Sequence, residues 1–252
     1  MKILFVGDVY GERGFEAMEK FLPSIKQTHK YHMLIVNGEN AASGLGLREE
    51  DYKRFMRLGV HGITLGNHSF SKQDLFNFID ESNIVRPANY PKSTPGKTVL
   101  LLDFNGHKVA LINLMGQVFM GDPLNSPFET IDQLLENLEA DTIIVDMHAE
   151  ATSEKLAMGH YLDGRVTAVL GTHTHVPTAD AMTLPKGTLY ITDVGMTGTK
   201  FGILGADKEL VLEKFLTKRP VRLKPSKDTA LQLNAVLIDT ASKTIKRINK
   251  ID

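Results

Sequence analysis

Short apolar segments alternate with amphipathic segments of helical length along most of this 252-residue sequence. Six of the apolar segments are brief and partly β-branched, which is typical of buried strands; they span residues 3–6, 33–36, 62–65, 109–114, 142–145 and 166–170. Five amphipathic segments are predicted helices, at residues 14–26, 48–58, 73–80, 129–139 and 153–160. Such alternation of strands and helices predicts a layered α/β fold.

The C-terminal part of the sequence has a different pattern. Three strand-like segments, 189–193, 231–239 and 243–248, follow one another without long helices between them, so we expect antiparallel pairing there. Residues 83–95 and 214–227 contain prolines and are predicted loops. Asn105-Gly106 between two apolar segments predicts the turn of a β-hairpin. Because no repeat or low-complexity linker interrupts the chain, we expect one domain spanning residues 1–252.

The composition excludes several kinds of site and partner. The chain has no cysteine, which excludes disulfides, thiolate metal sites and cysteine nucleophiles. Its net charge of -1 creates no overall field that attracts nucleic acid or an acidic membrane, so nucleic acid is expected only as a substrate. No segment approaches the ~20 apolar residues of a membrane span, and the N-terminal apolar run is too short for a signal peptide. We therefore expect a cytoplasmic protein.

Side chains that can bind metal follow five of the predicted strands. In open α/β sheets, binding sites assemble beyond the carboxyl ends of the strands, so residues distant in sequence converge there. The residues in these positions are Asp8, Glu39, Asn40, Asn67, His68, His148, His173 and His175. Histidine, carboxylate and amide groups suit iron, manganese, magnesium or zinc. The set is large enough to predict two metal sites that share a bridging carboxylate.

Each of these residues also has a structural interpretation when it is considered alone. Asp8 is typical of a helix N-cap, and Glu39 or Asn40 is typical of a turn. A single histidine such as His148 is more often hydrogen-bonded in a partly buried position than bound to metal. Coincidence explains poorly why five strands each end in a ligand-type residue, so the set as a whole predicts metal binding.

These residues stand in ordered motifs that resemble those of the calcineurin-like metallophosphoesterases. The motifs are Gly7-Asp8, Gly38-Glu39-Asn40, Gly66-Asn67-His68, His148 and Gly171-Thr172-His173-Thr174-His175. Three positions depart from the general pattern: Tyr10 replaces the first histidine, Glu39 replaces the bridging aspartate, and Ser69 replaces an acid. The departures are similar to the YmdB-like branch of cyclic-nucleotide phosphodiesterases, as are three longer blocks at residues 86–91, 148–155 and 192–198.

The resemblance implies a layered α/β/β/α sandwich with two metal ions, most readily iron, with manganese or magnesium as alternatives. By this resemblance one ion would be held by Asp8, Asn40 and His175. The other would be held by Asn67, His148 and His173, with Glu39 bridging the two. Asn40 is the weakest of these assignments, because an amide oxygen is a weaker ligand than the histidine it replaces.

The chemistry expected of such a site needs an acid as well as metal ions. Two ions held close together supply a bridging hydroxide at neutral pH, because coordination lowers the pKa of water from ~15.7 towards ~7. The alkoxide that leaves the phosphorus needs a proton, and His68, next to the predicted ligand Asn67, is the predicted general acid. The alternative is that His68 only orients a ligand or a substrate phosphate.

The resemblance implies hydrolysis of small cyclic nucleotides, with 2′,3′-cyclic nucleotides giving 3′-nucleotides as the specific expectation. The residues themselves do not distinguish this from a phosphomonoesterase. A third alternative is an RNA-linked regulatory protein with a secondary metal site, but the sequence has no basic run with interleaved aromatic residues. The oligomeric state, with a homo-oligomer as one alternative, and the native metal remain open.

Overall fold

The computed structural model describes residues 1–121 and 123–252. The first half contains β1 (Lys2–Val6), α1 (Gly11–His29), β2 (Met33–Asn37), α2 (Glu49–Arg57), β3 (Gly62–Thr64), a 3₁₀ segment (Gln73–Asn77), β4 (Ile84–Val85), β5 (Val99–Phe104) and β6 (His107–Met115). The second half contains α3 (Pro127–Leu135), β7 (Thr142–His148), α4 (Thr152–Tyr161), β8 (Ala168–Thr172), β9 (Met182–Thr183), β10 (Leu189–Ile191), β11 (Gly198–Thr199), α5 (Lys208–Thr217), β12 (Leu231–Asp239) and β13 (Thr244–Ile251).

The strands form two sheets. In the first sheet the order is β11-β12-β1-β2-β3-β4, and β13 pairs with β12. Strands β1 to β4 are parallel, whereas β12 runs antiparallel to β1 with Leu4 opposite Leu237. In the second sheet the order is β5-β6-β7-β8-β10-β9, and the central strands β6, β7, β8 and β10 are parallel. The first sheet therefore has antiparallel pairing on one side only, whereas the second has it at both edges.

Three apolar layers hold the sheets and helices together. Between the sheets lie buried side chains of both, including Ile3, Phe5, Met33 and Ile35 against Val109, Leu111, Ile144 and Leu170. Alternate residues of the first sheet, such as Leu4 and Val36, pack with α1 and α2 on its outer face. The outer face of the second sheet packs with α3 and α4. Because both faces of the central strands are covered, most of their residues are apolar, and polar residues such as Asp146 and His148 of β7 occur near the strand ends. The layers are those of the expected α/β/β/α sandwich.

The structure confirms the six central strands that were predicted from their apolar sequences. It also confirms the β5–β6 hairpin, in which Asn105 and Gly106 have φ angles of 54° and 83°. Positive φ at both central residues is what a type I′ turn requires. The antiparallel pairing of β12 with β13 agrees with the expectation for the C-terminal part of the chain.

Three predictions about secondary structure were wrong in part. The helix expected at residues 73–80 is a short 3₁₀ segment, and it ends where Phe78 takes a φ of -139°. The loop expected at residues 214–227 begins within α5, whose first turn is capped by Asp207 accepting from two backbone N–H groups. Strand β10 pairs in parallel with β8 and is antiparallel only to the two-residue β9. Among the described residues, none of the helices has the length and apolar character needed to cross a membrane.

Candidate metal centre

The eight predicted site residues gather at one edge of the sandwich, where parallel strands of both sheets end. From the first sheet come the residues that follow β1, β2 and β3, namely Asp8, Glu39, Asn40, Asn67 and His68. From the second sheet come the last residue of β7 and two residues after β8, namely His148, His173 and His175. The cluster therefore combines side chains from both layers of strands.

One group of ligand-type atoms surrounds Nε2 of His148, a residue with no exposed surface. This nitrogen lies 3.1 Å from Oε1 of Glu39, 2.9 Å from Oδ1 of Asn67 and 3.0 Å from Nδ1 of His173. Glu39, His148 and His173 each offer one ligand atom, and the three atoms lie within 4.8 Å of one another. A carboxylate and two imidazoles at this separation can hold a metal ion.

The orientation of the His148 ring is set by a chain of hydrogen bonds on its other side. The hydroxyl of Thr172 donates to Oδ1 of Asp146 across 2.7 Å, so its oxygen is free to accept the Nδ1 proton of His148 across 2.8 Å. Asn37 and Thr64 donate to the other carboxylate oxygen of Asp146. With the proton on Nδ1, the lone pair of Nε2 points into the cluster, which is the arrangement a metal ligand needs.

Asp146 is fully buried behind this chain. Burial raises the pKa of its carboxyl to about 6, although the charge of His148 and three donated hydrogen bonds favour the ionised form. Sequence reasoning placed Asp146 after a strand but did not assign it a role. Its position shows that it supports His148 through Thr172.

A second group of ligand-type atoms lies around His175 and Asp8. Nε2 of His175 is 3.1 Å from Oδ2 of Asp8, while Nδ1 of the same ring lies 3.1 Å from the carbonyl oxygen of Leu204. A carbonyl can only accept, so Nδ1 carries a proton, and in the neutral ring Nε2 is an acceptor. Oδ2 of Asp8 is buried and has no hydrogen-bond partner among the described residues. The short distance and the missing hydrogen bond agree, because two acceptors face each other with room for a cation or a shared proton.

Asn40 places its amide among the acceptors of the second group. Its Nδ2 lies 2.9 Å from Oδ1 of Asp8, 3.2 Å from Oε1 of Glu39 and 3.4 Å from Nε2 of His175. The amide N–H group thus offers partial positive charge to these acceptors. A half-turn of the amide would bring Oδ1 to the same place as a ligand. The donor set therefore fits the metal ions that the sequence predicts.

The pKa values of the two histidines that follow β8 are shifted in opposite directions. Burial and the nearby charge of His148 lower the pKa of His173 to about 4. Burial also opposes the charged form of His175, but the negative charge of the adjacent Asp8 carboxylate outweighs it and raises the pKa to about 9. In the absence of metal, a proton on His175 balances the Asp8 carboxylate.

The backbone at the cluster is constrained at Gly66 and at the two histidines that follow β8. A side chain at Gly66 would collide with the Glu39 carboxylate and the His148 ring. His173 and His175 have φ angles of 99° and 67°, which residues other than glycine rarely adopt. Strained backbone of this kind persists only when surrounding contacts hold it in place, and it clusters at functional sites.

His68 lies at the mouth of the site rather than among the buried ligand-type atoms. Its backbone N–H donates to Oε2 of Glu39 across 2.9 Å, and its ring Nε2 lies 3.3 Å from Nδ2 of Asn67. The ring lines a pocket of about 310 Å³. The walls of this pocket come from Tyr10, Glu39, Asn40, Gly44, His68, Glu150, His173, Thr174, His175 and Leu204.

Two residues of this pocket that contact the site histidines, Glu150 and Leu204, were not identified from the sequence. Oε2 of Glu150 lies 3.1 Å from Nε2 of His173, so the carboxylate supports that ring on the side away from His148. Glu150 belongs to the block at residues 148–155, whose resemblance to the YmdB-like branch was the available signal. Leu204 acts through its backbone carbonyl, and a backbone atom has no signature in the sequence.

A two-sheet α/β/β/α sandwich with clustered histidine, carboxylate and amide groups at the strand ends defines a metal-dependent phosphoesterase of the calcineurin-like type. Within that class, the model of the family described as YmdB-like protein matches residues 4–251, and the chain belongs to this family. Membership in this class implies divalent metal ions as cofactors.

Known relatives resemble the chain over nearly its full length. A 2′,3′-cyclic-nucleotide 2′-phosphodiesterase of Bacillus subtilis (strain 168) is 48% identical, over 98% of this chain and 94% of that protein. The crystal structure of a hypothetical protein from Thermus thermophilus has a TM-score of 0.95 and 44% identity, with complete coverage of both chains. A novel phosphatase from Mycoplasma pneumoniae has a TM-score of 0.92 and 37% identity, covering 100% of this chain and 93% of that one.

Proposed function

We propose that this protein is a dinuclear metal-dependent phosphodiesterase that hydrolyses 2′,3′-cyclic nucleotides to 3′-nucleotides. The observation that carries the proposal is the cluster of Glu39, His148 and His173, whose three ligand atoms lie within 4.8 Å of one another beside the Asp8–His175 pair. Bound cations would offset the negative charge of Asp8 and Glu39, which are buried in this site. The 48% identical relative from Bacillus subtilis bears the name of this activity, which supports the choice of substrate.

We assign the ligands in two groups joined by Glu39, whose Oε1 lies 3.1 Å from Nε2 of His148 and 3.2 Å from Nδ2 of Asn40. One group is Asp8, Asn40 and His175, and the other is Asn67, His148 and His173. Nitrogen and oxygen donors without sulfur suit iron, with manganese or magnesium as alternatives. When bound, two such ions supply a hydroxide at neutral pH and offset the charge that develops on the phosphoryl oxygens.

We assign the role of general acid to His68. The 2′-oxygen that leaves the phosphorus acquires negative charge and needs a proton, which a histidine can donate near neutral pH. The His68 ring faces the pocket, while its backbone N–H holds Oε2 of Glu39. His68 can therefore reach a substrate without being one of the proposed ligands.

The size of the pocket supports a small nucleotide as the substrate. At about 310 Å³ it lies at the lower end of the range of ligand pockets. Tyr10 and Leu204 add partly apolar surface to a pocket otherwise lined by polar groups. In this proposal the cyclic phosphate binds at the polar groups of the metal centre, and the nucleoside lies along the partly apolar surface of Tyr10 and Leu204.

The proposal is tested by turnover of a panel of phosphate esters by protein of known metal content. The panel contains 2′,3′-cyclic AMP, 3′,5′-cyclic AMP, bis-(p-nitrophenyl) phosphate and p-nitrophenyl phosphate, each with Mn²⁺ or Fe²⁺. We expect 2′,3′-cyclic AMP to give 3′-AMP with the highest kcat/KM, and His173→Ala to abolish this turnover. Preference for the monoester would instead indicate a phosphomonoesterase. Salt-dependent RNA binding that survives loss of Asp8 and His173 would favour a regulatory protein.

A further inference from the structure

A buried ion pair lies directly behind the two histidines that follow β8. Lys155 of α4 and Asp193, which follows β10, have 0% and 1% exposed surface. Nζ of Lys155 lies 2.8 Å from Oδ2 of Asp193. Removing two charges from water costs several kcal/mol per ion unless further hydrogen bonds satisfy them. The location of those further hydrogen bonds indicates what the pair does.

The remaining hydrogen bonds of the pair go to Thr172 and Thr174, the residues on both sides of His173. Lys155 donates to the carbonyl oxygen of Thr172 across 3.0 Å. Asp193 accepts from the backbone N–H of Thr174 across 3.0 Å and from the Thr174 hydroxyl across 2.7 Å. The histidine is thus held through its two neighbours, and its own ring remains free to face the metal centre.

The same segments are joined by backbone hydrogen bonds before and after the two histidines. The N–H of Val194 donates to the carbonyl of Gly171, and the N–H of Met196 donates to the carbonyl of His175, each across 2.9 Å. Asp193 holds its own side of this arrangement by accepting from the N–H of Gly195 across 2.8 Å. The Lys155–Asp193 pair lies at the centre of these contacts.

We propose that Lys155 and Asp193 are positioning residues that hold residues 171–175 in the strained conformation in which His173 and His175 face the metal ions. The inference rests on the proposed metal centre. The positive φ angles of the two histidines are unfavourable for residues with a side chain and need surrounding contacts to persist. The ion pair supplies contacts of this kind at Thr172 and Thr174, from two elements that contain none of the proposed ligands.

The test compares Mn²⁺ binding by purified wild-type protein and by variants of the pair. Lys155→Met keeps most of the apolar stem and removes the charge, and Asp193→Asn keeps the shape and removes the opposite charge. We expect the dissociation constant for Mn²⁺ to rise about 10–100-fold in each single variant, as is typical when support of metal ligands is lost. Isothermal titration measures this constant without any substrate.

A matched control separates positioning from general loss of stability. Asp163 is another buried aspartate, and it accepts from the N–H groups of Lys186 and Thr188 at 2.9 Å and 3.3 Å, at the opposite end of β8 and β10. We expect Asp163→Asn to lower the midpoint of thermal unfolding and to leave Mn²⁺ affinity unchanged. Equal weakening of Mn²⁺ binding by Asp163→Asn would overturn the proposal.

The double variant Lys155→Met/Asp193→Asn removes both charges and so avoids leaving one of them buried and unpaired. We expect it to unfold at a higher temperature than Lys155→Met while its Mn²⁺ affinity stays low. Wild-type affinity in the double variant or in Asp193→Asn would refute the positioning role. If wild-type protein binds Mn²⁺ but does not hydrolyse cyclic nucleotides, the proposed function fails and the positioning role stands.

Discussion

The hydroxyl of Thr172 lies 2.8 Å from Nδ1 of His148 and links that ring to the buried carboxylate of Asp146. Because the hydroxyl proton is committed to Asp146, the Thr172 oxygen accepts from Nδ1 of the ring, so the neutral form of His148 has its lone pair on Nε2, facing the cluster. One threonine at the end of β8 therefore determines the tautomer of a histidine at the end of β7.

Replacing Thr172 by valine removes this link with little change of shape. We expect the Thr172→Val variant to bind Mn²⁺ about 10–100-fold more weakly, because the His148 ring loses its fixed orientation. We also expect a loss of about 1–3 kcal/mol in the free energy of unfolding, because Asp146 loses a donor in a buried site. Titration calorimetry and urea denaturation measure the two effects.

The control for that prediction is Thr167→Val. Thr167 accepts from the N–H of Ile143 across 3.1 Å, just before the start of β8, far from the cluster. This variant should keep wild-type Mn²⁺ affinity. Unchanged affinity in Thr172→Val would contradict the role given to the threonine.

Removal of the His68 side chain should lower turnover without loss of metal. We expect His68→Ala to retain wild-type metal content by elemental analysis and to lose about 10²–10⁴-fold in kcat on 2′,3′-cyclic AMP. The loss should be much smaller on bis-(p-nitrophenyl) phosphate, because p-nitrophenolate leaves without needing a proton. Equal losses on both substrates would instead indicate that His68 orients the phosphate. The exposed His160 provides the control, since His160→Ala should change neither measurement.

Metal binding should release a proton at neutral pH. The pKa of His175 is about 9 in the metal-free protein, so the ring is protonated at pH 7 and must lose its proton before Nε2 can bind a cation. We expect His175 to contribute about one of the protons released per protein, since ligands bind metals in their deprotonated forms. This contribution should vanish above about pH 10, and release at pH 7 should be smaller by about one proton in His175→Ala. Titration calorimetry in buffers of different ionisation enthalpy counts the protons, and equal release by wild-type protein and His175→Ala at pH 7 would contradict the assignment.

Removing the metal should lower thermal stability. A ligand that binds the folded state at 100 times its dissociation constant adds about 2.7 kcal/mol, which corresponds to roughly 5–10 °C in a chain of this size. We expect dialysis against EDTA to lower the unfolding midpoint by this amount and Mn²⁺ to restore it. The Asp8→Ala/His173→Ala variant should show a much smaller shift between the two conditions. An equal shift in that variant would mean that the stabilising ion binds elsewhere.

Much of the cluster could be predicted because the end of each central strand is recognisable in the sequence. Gly7-Asp8 after β1 and Gly66-Asn67 after β3 show an apolar run stopping at a small residue and then a ligand-type side chain. A parallel sheet brings such ends together whatever the order of its strands. The approximate location of these residues therefore follows from local sequence alone.

Other parts of the structure depend on contacts that the sequence does not display. The carbonyl of Leu204 fixes the His175 ring from 29 residues away, and any residue type could provide it. The parallel pairing of β10 with β8 depends on chain direction, which the composition of a strand does not reveal. The pairing of Lys155 with Asp193 likewise depends on the packing of α4 against the segment after β10, which the sequence does not display.

Because the candidate site lies where the two sheets meet, its geometry depends on how the sheets are placed relative to each other. Glu39 and His148 approach to 3.1 Å from opposite layers, as do Asp8 and His175. A slide of one sheet over the other by a fraction of a strand spacing would open both pairs at once. A substitution deep between the sheets, for example at the fully buried Ile35, can therefore impair this edge without touching any of its residues. Inactivating changes in such a protein need not lie near the residues that carry its chemistry.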